Sequence, residues 1–560
     1  MNRKSIFCGV LAAAVLPALL ACWWLMTRAC DGERLAFAHS SAPIPECLLL
    51  PSQGWRVITS SETVKPAYGL FTRFLPPATT HAISHVPLPQ HPGMASGGSN
   101  MHNDAYVSDV NDAPGPLGLN SIIRSRSQGF GGYGTLTFDS KGRIVAIHGN
   151  ATNFQLELLD AGTLQELASF DLPPRSWLFP LQGVMPWKYL GAGVYFYLDG
   201  QDRAIVPTTD NSLLVIQVPE DPAVETFTLV REYDLSRHVK TLPWPKLDSV
   251  AWVMPEWPAA GQNVARYWYA TIEGLVGVVD ARSGDITTWK SGDEIIENSF
   301  AVGEEGIFMM TDQALYRLNV DGSDNHNHND NDNDNDKIIV DWRQAYDRGP
   351  AAKAGHITRG SGTSVTLVGS ATDGLVAITD NAAPRIHLEL YRRSNGEKVC
   401  SVPLFKDNES GTDLSALAFE HADAAGRPSG RFSIMVENNY GDHVFPMPDA
   451  HAGIARIDAL RQGDGSYHCE QVWQTRDKGI AGAKLALRSG LLYMYINDDS
   501  PALGGYFSAL DFDSGETVYR QHTGMGHGYN AWQGVLFLHP TSGALYTTTL
   551  FGIVMMQDAP

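Results

Sequence analysis

Cysteine is scarce in this chain. There are six in 560 residues, no two adjacent and none spaced Cys-x-x-Cys. That excludes a cysteine-rich zinc module and a thioredoxin-type redox pair. Positive charge is also short: 41 Lys and Arg face 61 Asp and Glu, a formal net charge of −20. A surface of that sign repels a phosphate backbone, so nucleic acid is not expected as a partner. No Gly-rich phosphate loop or HExxH zinc helix is present. The segment GSGTS, Gly360 to Ser364, has a superficial likeness to a nucleophile turn, but its hydroxyls read as the start of a strand. Long amphipathic helical patterns are missing too.

One long apolar run exists, at the start. Arg3 and Lys4 precede an uncharged stretch from Ser5 to Thr27, long enough to span a bilayer. Positive charge ahead of it holds the N-terminus inside and sends the remainder across. Residues 1–28 therefore read as a signal anchor or a signal peptide, with LLAC ending at Cys22 as a lipoprotein variant. Each version exports the rest, placing it in the periplasm or at the cell surface, membrane-anchored or secreted. Beyond the leader remain Cys30, Cys47, Cys400 and Cys469, which allow three disulfide pairings. Buried free thiols at Cys400 and Cys469 are an equally good reading.

Residues 29–126 are rich in Pro, Gly, Ser and His and lack strong periodicity. From about Gly131 the character changes. Short β-branched and aromatic runs recur between Gly, Asp, Asn and Ser turns, as in GTLTFDSKGRIVAIHG and AKLALRSGLLYMYINDD. The units each read as four antiparallel strands, the composition of one propeller blade. Such a sheet cannot bury both faces alone, so neighbours must stack round a ring. The expectation is an all-β fold over 127–560: an eight-bladed β-propeller, with seven blades as the alternative. The last unit stops after three strands, so an N-terminal strand is expected to close the ring, and GWRVITSS, Gly54 to Ser61, is the candidate. The insert at 323–337, rich in Asn and Asp with two His, reads as a low-complexity loop at a surface turn.

The turns between third and fourth strands share a form: LLDAGTLQELA, VVDARSGDITTW, YRRSNGEKVCS and ALDFDSGETVYR. This pattern resembles the repeat of quinoprotein-like (PQQ-repeat-like) propellers, in which an indole docks between blades. The docking position holds Ala168, Cys400 and Tyr519 here, Trp289 lies one residue late, and Arg392 stands at one Asp position. The resemblance implies the fold and, more weakly, a quinone-dependent dehydrogenase. Such enzymes place the quinone beneath a disulfide of adjacent cysteines, which this chain lacks.

Propeller geometry sorts the loops. Turns from first to second and from third to fourth strand share one face. Second-to-third turns and the links into the next blade share the other, and acids, amides and histidines gather there. Glu297, Asn298, Asp380, Asn381, Glu437 and Asn438 are candidate oxygen ligands for one calcium ion at an axial funnel. This is similar to the ion in calcium-dependent propeller lactonases and esterases, where the metal polarises a carbonyl or activates water. Turn capping by the same Asx residues is the competing explanation. His527 and His356 are candidate general bases, and Arg359 a candidate oxyanion binder. Residues 97–118 are expected either as a lid, with Asn100, His102 and Asp104 facing the funnel, or as a surface wrap; Asn530 joins the substrate-binding candidates. The resulting reading is an exported propeller that binds a small polar molecule and acts on it by calcium-assisted hydrolysis or isomerisation. A PQQ-dependent dehydrogenase and a non-catalytic ligand-binding or assembly scaffold are the alternatives.

Overall fold

The computed structural model describes residues 46–50, 54–58, 71–76, 80–127, 132–150, 152–175, 193–239, 248–321, 337–354, 356, 358–441, 451, 453–497, 505–524, 527–531, 534–549 and 551–559. They form strands, turns and one 3-10 turn at His527–Tyr529, with no α-helix among them. No helix among the described residues is long and apolar enough to cross a membrane. The leader, residues 1–28, lies outside them.

Among the described residues, six separate four-stranded antiparallel sheets follow one another, at 132–172, 197–234, 250–290, 301–345, 366–403 and 417–474, and one larger sheet holds a seventh unit at 479–524 and an eighth at 534–558, joined by a short parallel pairing of Ala481–Gly482 with Gly534–Val535. Seven run through four consecutive strands. The eighth supplies three and takes its outermost strand, Ser121–Ser127, from ahead of the first unit, pairing Ser121 with Asp558 and Ser127 with Gly552. Each unit packs on the next, and the eighth packs on the first. Side chains from facing sheets therefore interdigitate around a closed ring, which is the β-propeller arrangement.

Each unit folds locally for reasons visible in its turns. Asp139, Asp199, Asp280 and Asp423 each turn a carboxylate oxygen onto the backbone N–H two residues on. That Asx turn reverses the chain between two apolar runs. The inner strands are buried on both sides and read as near-continuous apolar segments, such as VAWVMP at Val250–Pro255. Outer strands are half exposed and alternate.

The closing strand differs from the expectation. Gly54–Ile58 pairs with Glu46–Leu50 as a separate hairpin, and Ser121–Ser127 closes the ring instead. An outermost strand is covered on one side only, so SIIRSRS carries little apolar content. Its Arg126 is buried and pairs with Glu166 at 2.9 Å. A further N-terminal strand, Phe71–Arg73, adds to the outer edge of the seventh unit.

The interblade indoles also sit elsewhere than expected. Trp342, on the outer strand of the fourth unit, donates Nε1–H to the Arg393 carbonyl of the fifth at 3.2 Å. Trp473 of the sixth does the same to Phe512 of the seventh at 2.8 Å. Each ring lies flat on a glycine of the partner turn, Gly396 or Gly515, both in the left-handed region. A Cβ there would stand 2.8 or 2.7 Å from the indole. Tyr233 approaches Gly284 more loosely, 3.6 Å from where a Cβ would stand, and donates its hydroxyl to the Ala281 carbonyl at 2.8 Å. The aromatic and the turn it seals belong to different units, so an alignment within one unit misplaces the pair at Ala168, Cys400 and Tyr519.

Cys400 and Cys469 form a disulfide between the outer strands of the fifth and sixth units, with Cα atoms 6.3 Å apart. The residues flanking the Asn/Asp insert, Asp321 and Lys337, pair with one another, so the insert leaves from a hairpin tip; residues 322–336 lie outside those described.

Candidate functional site

The centre of the ring is filled by the chain's own N-terminal segment. From Gly98 to Asn111 it threads the axis as a hoop and offers backbone carbonyls to one inner strand after another. Gly98 accepts from Phe138, Ser99 from Leu198, Ala105 from Val302, Tyr106 from Leu367, Ser108 from Ala418 and Asp109 from Leu485. Those acceptances reach units one, two, four, five, six and seven. Val110–Asn111 then runs parallel to Gly479–Ala486 as a short strand. Val107 and Asp109 are held at positive φ, 59° and 52°. A β-branched residue in that region is a true outlier, kept only where its surroundings over-determine it. The expected lid is therefore a fixed part of the core.

A buried polar relay sits on this hoop. His102 places Nδ1 3.1 Å from Asp109 Oδ2 and Nε2 3.4 Å from the Ser364 hydroxyl. The Ser415 hydroxyl reaches both His102 and Asp109. Lys484 closes the set with an ion pair to Asp109 and a 2.9 Å hydrogen bond to the Met101 carbonyl. Burial alone pushes the Asp109 carboxyl up, but Lys484 and His102 outweigh it and hold it down at about 2. Ser364 and Ser415 stand just ahead of the inner strands of the fifth and sixth units and Lys484 lies within that of the seventh, so the ring itself brings them together.

Beside the relay, Asn298 joins units two, four, five and six. It accepts from the Tyr195 hydroxyl at 3.1 Å and donates to the carbonyls of Gly362 and Asp413 at 2.9 and 2.5 Å. Glu437 lies within electrostatic reach of Asp109 and Asp413. One of its oxygens accepts from Ala483 N–H at 3.1 Å; the other is buried without a partner. Burial raises its carboxyl to about 8, with the two neighbouring acids adding to the rise. Gly479 is required beside it, since a Cβ would overlap Glu437 Oε1.

The remaining candidates are scattered by comparison. Glu297 is engaged by the backbone N–H and hydroxyl of Thr358. Asn381 gives its amide to three carbonyls, those of Arg348, Ala351 and Arg359. Asn438 accepts from Gly411 and donates to Glu409. Asp380 holds His387. These four side chains are engaged by separate loops, apart from Asn298 and Glu437 beside the relay. Arg359 is exposed and donates to Gly349, so it does not face the relay. His356 has both ring nitrogens buried without hydrogen-bond partners, against Gly362 and Gly411. Asn530 is fully buried, its amide atoms likewise unpartnered, at the approach to the eighth unit. His527 opens the 3-10 turn. Asn100 and Asp104 serve the hoop: Asn100 accepts from His102 N–H, and Asp104 accepts from Ser108. Burial lifts the Asp104 carboxyl to about 7. On the other side of the hoop, at the first-to-second-strand turns, Met94, Asn103, Asp104 and Lys141 line a cleft of about 980 Å³.

Sequence reasoning passed over Lys484, Asp109, Ser415 and Tyr195. A lone lysine inside GIAGAKLA was the available signal, because a charge in a strand buried on both faces needs a partner.

No family model matches the chain. An uncharacterized protein of Archaeoglobus fulgidus is 22% identical over 329 residues, 52% of this chain and 58% of that one. The aligned part thus spans little more than half of that relative. Among solved structures, the quinohemoprotein alcohol dehydrogenase of Comamonas testosteroni aligns over 83% of this chain and 81% of its own, with 10% identity and a TM-score of 0.45. Sqt1 of Saccharomyces cerevisiae covers 85% and 100%, at 9% identity and 0.41. BamB of Moraxella catarrhalis covers 66% and 97%, at 12% and 0.30.

Proposed function

We propose that this chain is an exported eight-bladed propeller that binds a small oxygenated molecule at the axial relay and hydrolyses it, with His102 as general base. The observation carrying this is the continuous chain Ser364–His102–Asp109–Lys484, built from the hoop and two separate units. Asp109 fixes the tautomer and orientation of the imidazole, leaving Nε2 to take a proton from the Ser364 hydroxyl. Lys484 keeps Asp109 ionised, so the carboxylate supports the imidazolium that forms. Neutral Glu437, within electrostatic reach of Asp109, offers a buried polar atom for a carbonyl or hydroxyl of the ligand. The Cys400–Cys469 disulfide supports export, since such bonds persist in oxidising compartments.

The test is hydrolysis of p-nitrophenyl acetate and of a γ-lactone by the purified chain. His102→Ala and Ser364→Ala are each expected to lower kcat by at least about a hundredfold, the usual scale of a lost base or nucleophile. Wild type no faster than buffer, or a His102→Ala variant as active as wild type, would refute the proposal.

A further inference from the structure

Away from the axis, one more group of side chains converges. Asp380 directly follows the second strand of the fifth unit, and His387 and Glu389 stand two apart on the third, so both point to the same face of the sheet. One ligand atom from each lies within 4.8 Å of the others, a grouping of metal-binding side chains met nowhere else among the described residues. Asp380 and Glu389 are buried, whereas His387 keeps an exposed edge, 31% of its side chain. Tyr391, the next residue on that face, is buried against the fourth unit. Its hydroxyl has no hydrogen-bond partner, and both acids act on it electrostatically. An unpartnered hydroxyl beside two carboxylates and an imidazole is what a coordinated ion or its water would satisfy.

We infer that Asp380, His387 and Glu389 form a binding site for a divalent first-row transition metal, between the fourth and fifth units. One imidazole and two carboxylates suit zinc or its neighbours better than calcium, which takes oxygen ligands only. Three protein ligands leave a coordination position open towards the exposed side of His387. Without metal, the site is held by its own charges. His387 Nδ1 lies 2.8 Å from Asp380, and Lys398 Nζ lies 2.8 Å from Glu389. Lys398 is about half exposed, with 45% of its side chain accessible, so its ammonium can swing into water when a cation takes its place. The site uses none of the relay residues and stands or falls independently of the hydrolytic reading.

The experiment is calorimetric titration of the chelator-stripped full chain with Zn²⁺. The insert carries His326 and His328 among many Asp, so the titration is run in a His326→Ala/His328→Ala background. One equivalent is expected to bind there. His387→Ala and Glu389→Gln are each expected to weaken it at least tenfold, and Lys398→Gln to tighten it severalfold by removing the competing ammonium. Should His387→Ala fail to fold, the near-isosteric Glu389→Gln carries the test alone. Absence of bound zinc in the background protein, or unchanged affinity in Glu389→Gln, would overturn the inference.

Discussion

Glu437 gives the sharpest quantitative test of the axial site. Its carboxyl is raised from the ordinary 4.5 to about 8 by burial. Between those values the folded chain keeps a proton that the unfolded chain has released. Stability must then fall as pH rises, by about 1.4 kcal/mol per pH unit, and level off above the folded value. Other buried groups titrate nearby. Asp104, raised to about 7, and Asp248, raised to about 6, slope the same way over lower ranges. His91 and His421, lowered to about 4, slope the opposite way up to their ordinary 6.5. Between pH 7 and 8 Asp248 and the two histidines have run their course, Asp104 adds only the tail of its titration, and Glu437 dominates. Urea denaturation at pH 7.0, 7.5 and 8.0 is expected to show wild type losing about 1 kcal/mol across that interval. Glu437→Gln keeps the shape without the proton, so its stability should fall there by only the few tenths of a kcal/mol that Asp104 supplies. Equal slopes in the two proteins would refute a neutral Glu437 at the axis.

Lys484→Met leaves Asp109 buried beside the hoop without its main counter-charge, and is expected to cost about 3 kcal/mol by denaturant unfolding; Lys484→Met/Asp109→Asn should recover most of it. Gly515→Ala is expected to lose about 3 kcal/mol, combining positive φ with overlap of the Trp473 ring, whereas Gly465→Ala, at φ 83° with nothing near its Cβ, should lose only about 1 kcal/mol. Equal losses at the two glycines would count against indole docking. Cys400→Ser opens a loop of 69 residues' separation and is expected to lower stability by up to about 4 kcal/mol on the loop-entropy scale, a difference that reducing agent should abolish.

The repeating unit was legible because its determinants are local. Asp-x-x-Ser-Gly turns, as at Asp280–Gly284 and Asp511–Gly515, and apolar runs lie within a few residues of one another, so pattern reading finds them. What failed were pairings between units. Trp342 and Trp473 were in plain sight, but the turns they seal belong to the next sheet. The closing strand escaped because half its surface faces water and its sequence says so. At the site, His102 was found as a polar residue in a long Pro/Gly-rich segment, and Asn298 and Glu437 as residues flanking apolar strands. Their partners Lys484 and Asp109 are 375 residues apart, a distance no local pattern spans. Asn381 and Asn438 look like ligands in sequence and act as loop caps, because an Asx side chain serves both roles with the same atoms.

The hoop has a bearing on assembly. Residues 98–111 leave the ribosome early, yet the N–H groups that donate to their carbonyls include those of Leu485 and Leu487, and the strand beside them pairs with the last one made. The ring cannot be threaded until nearly the whole chain is available. Sequence separations of this size slow folding, since long loops must close before their contacts repay the ordering. A chain cut short anywhere in its last unit would lose the partner of Ser121–Ser127 and strand the hoop's neighbours as open sheet edges.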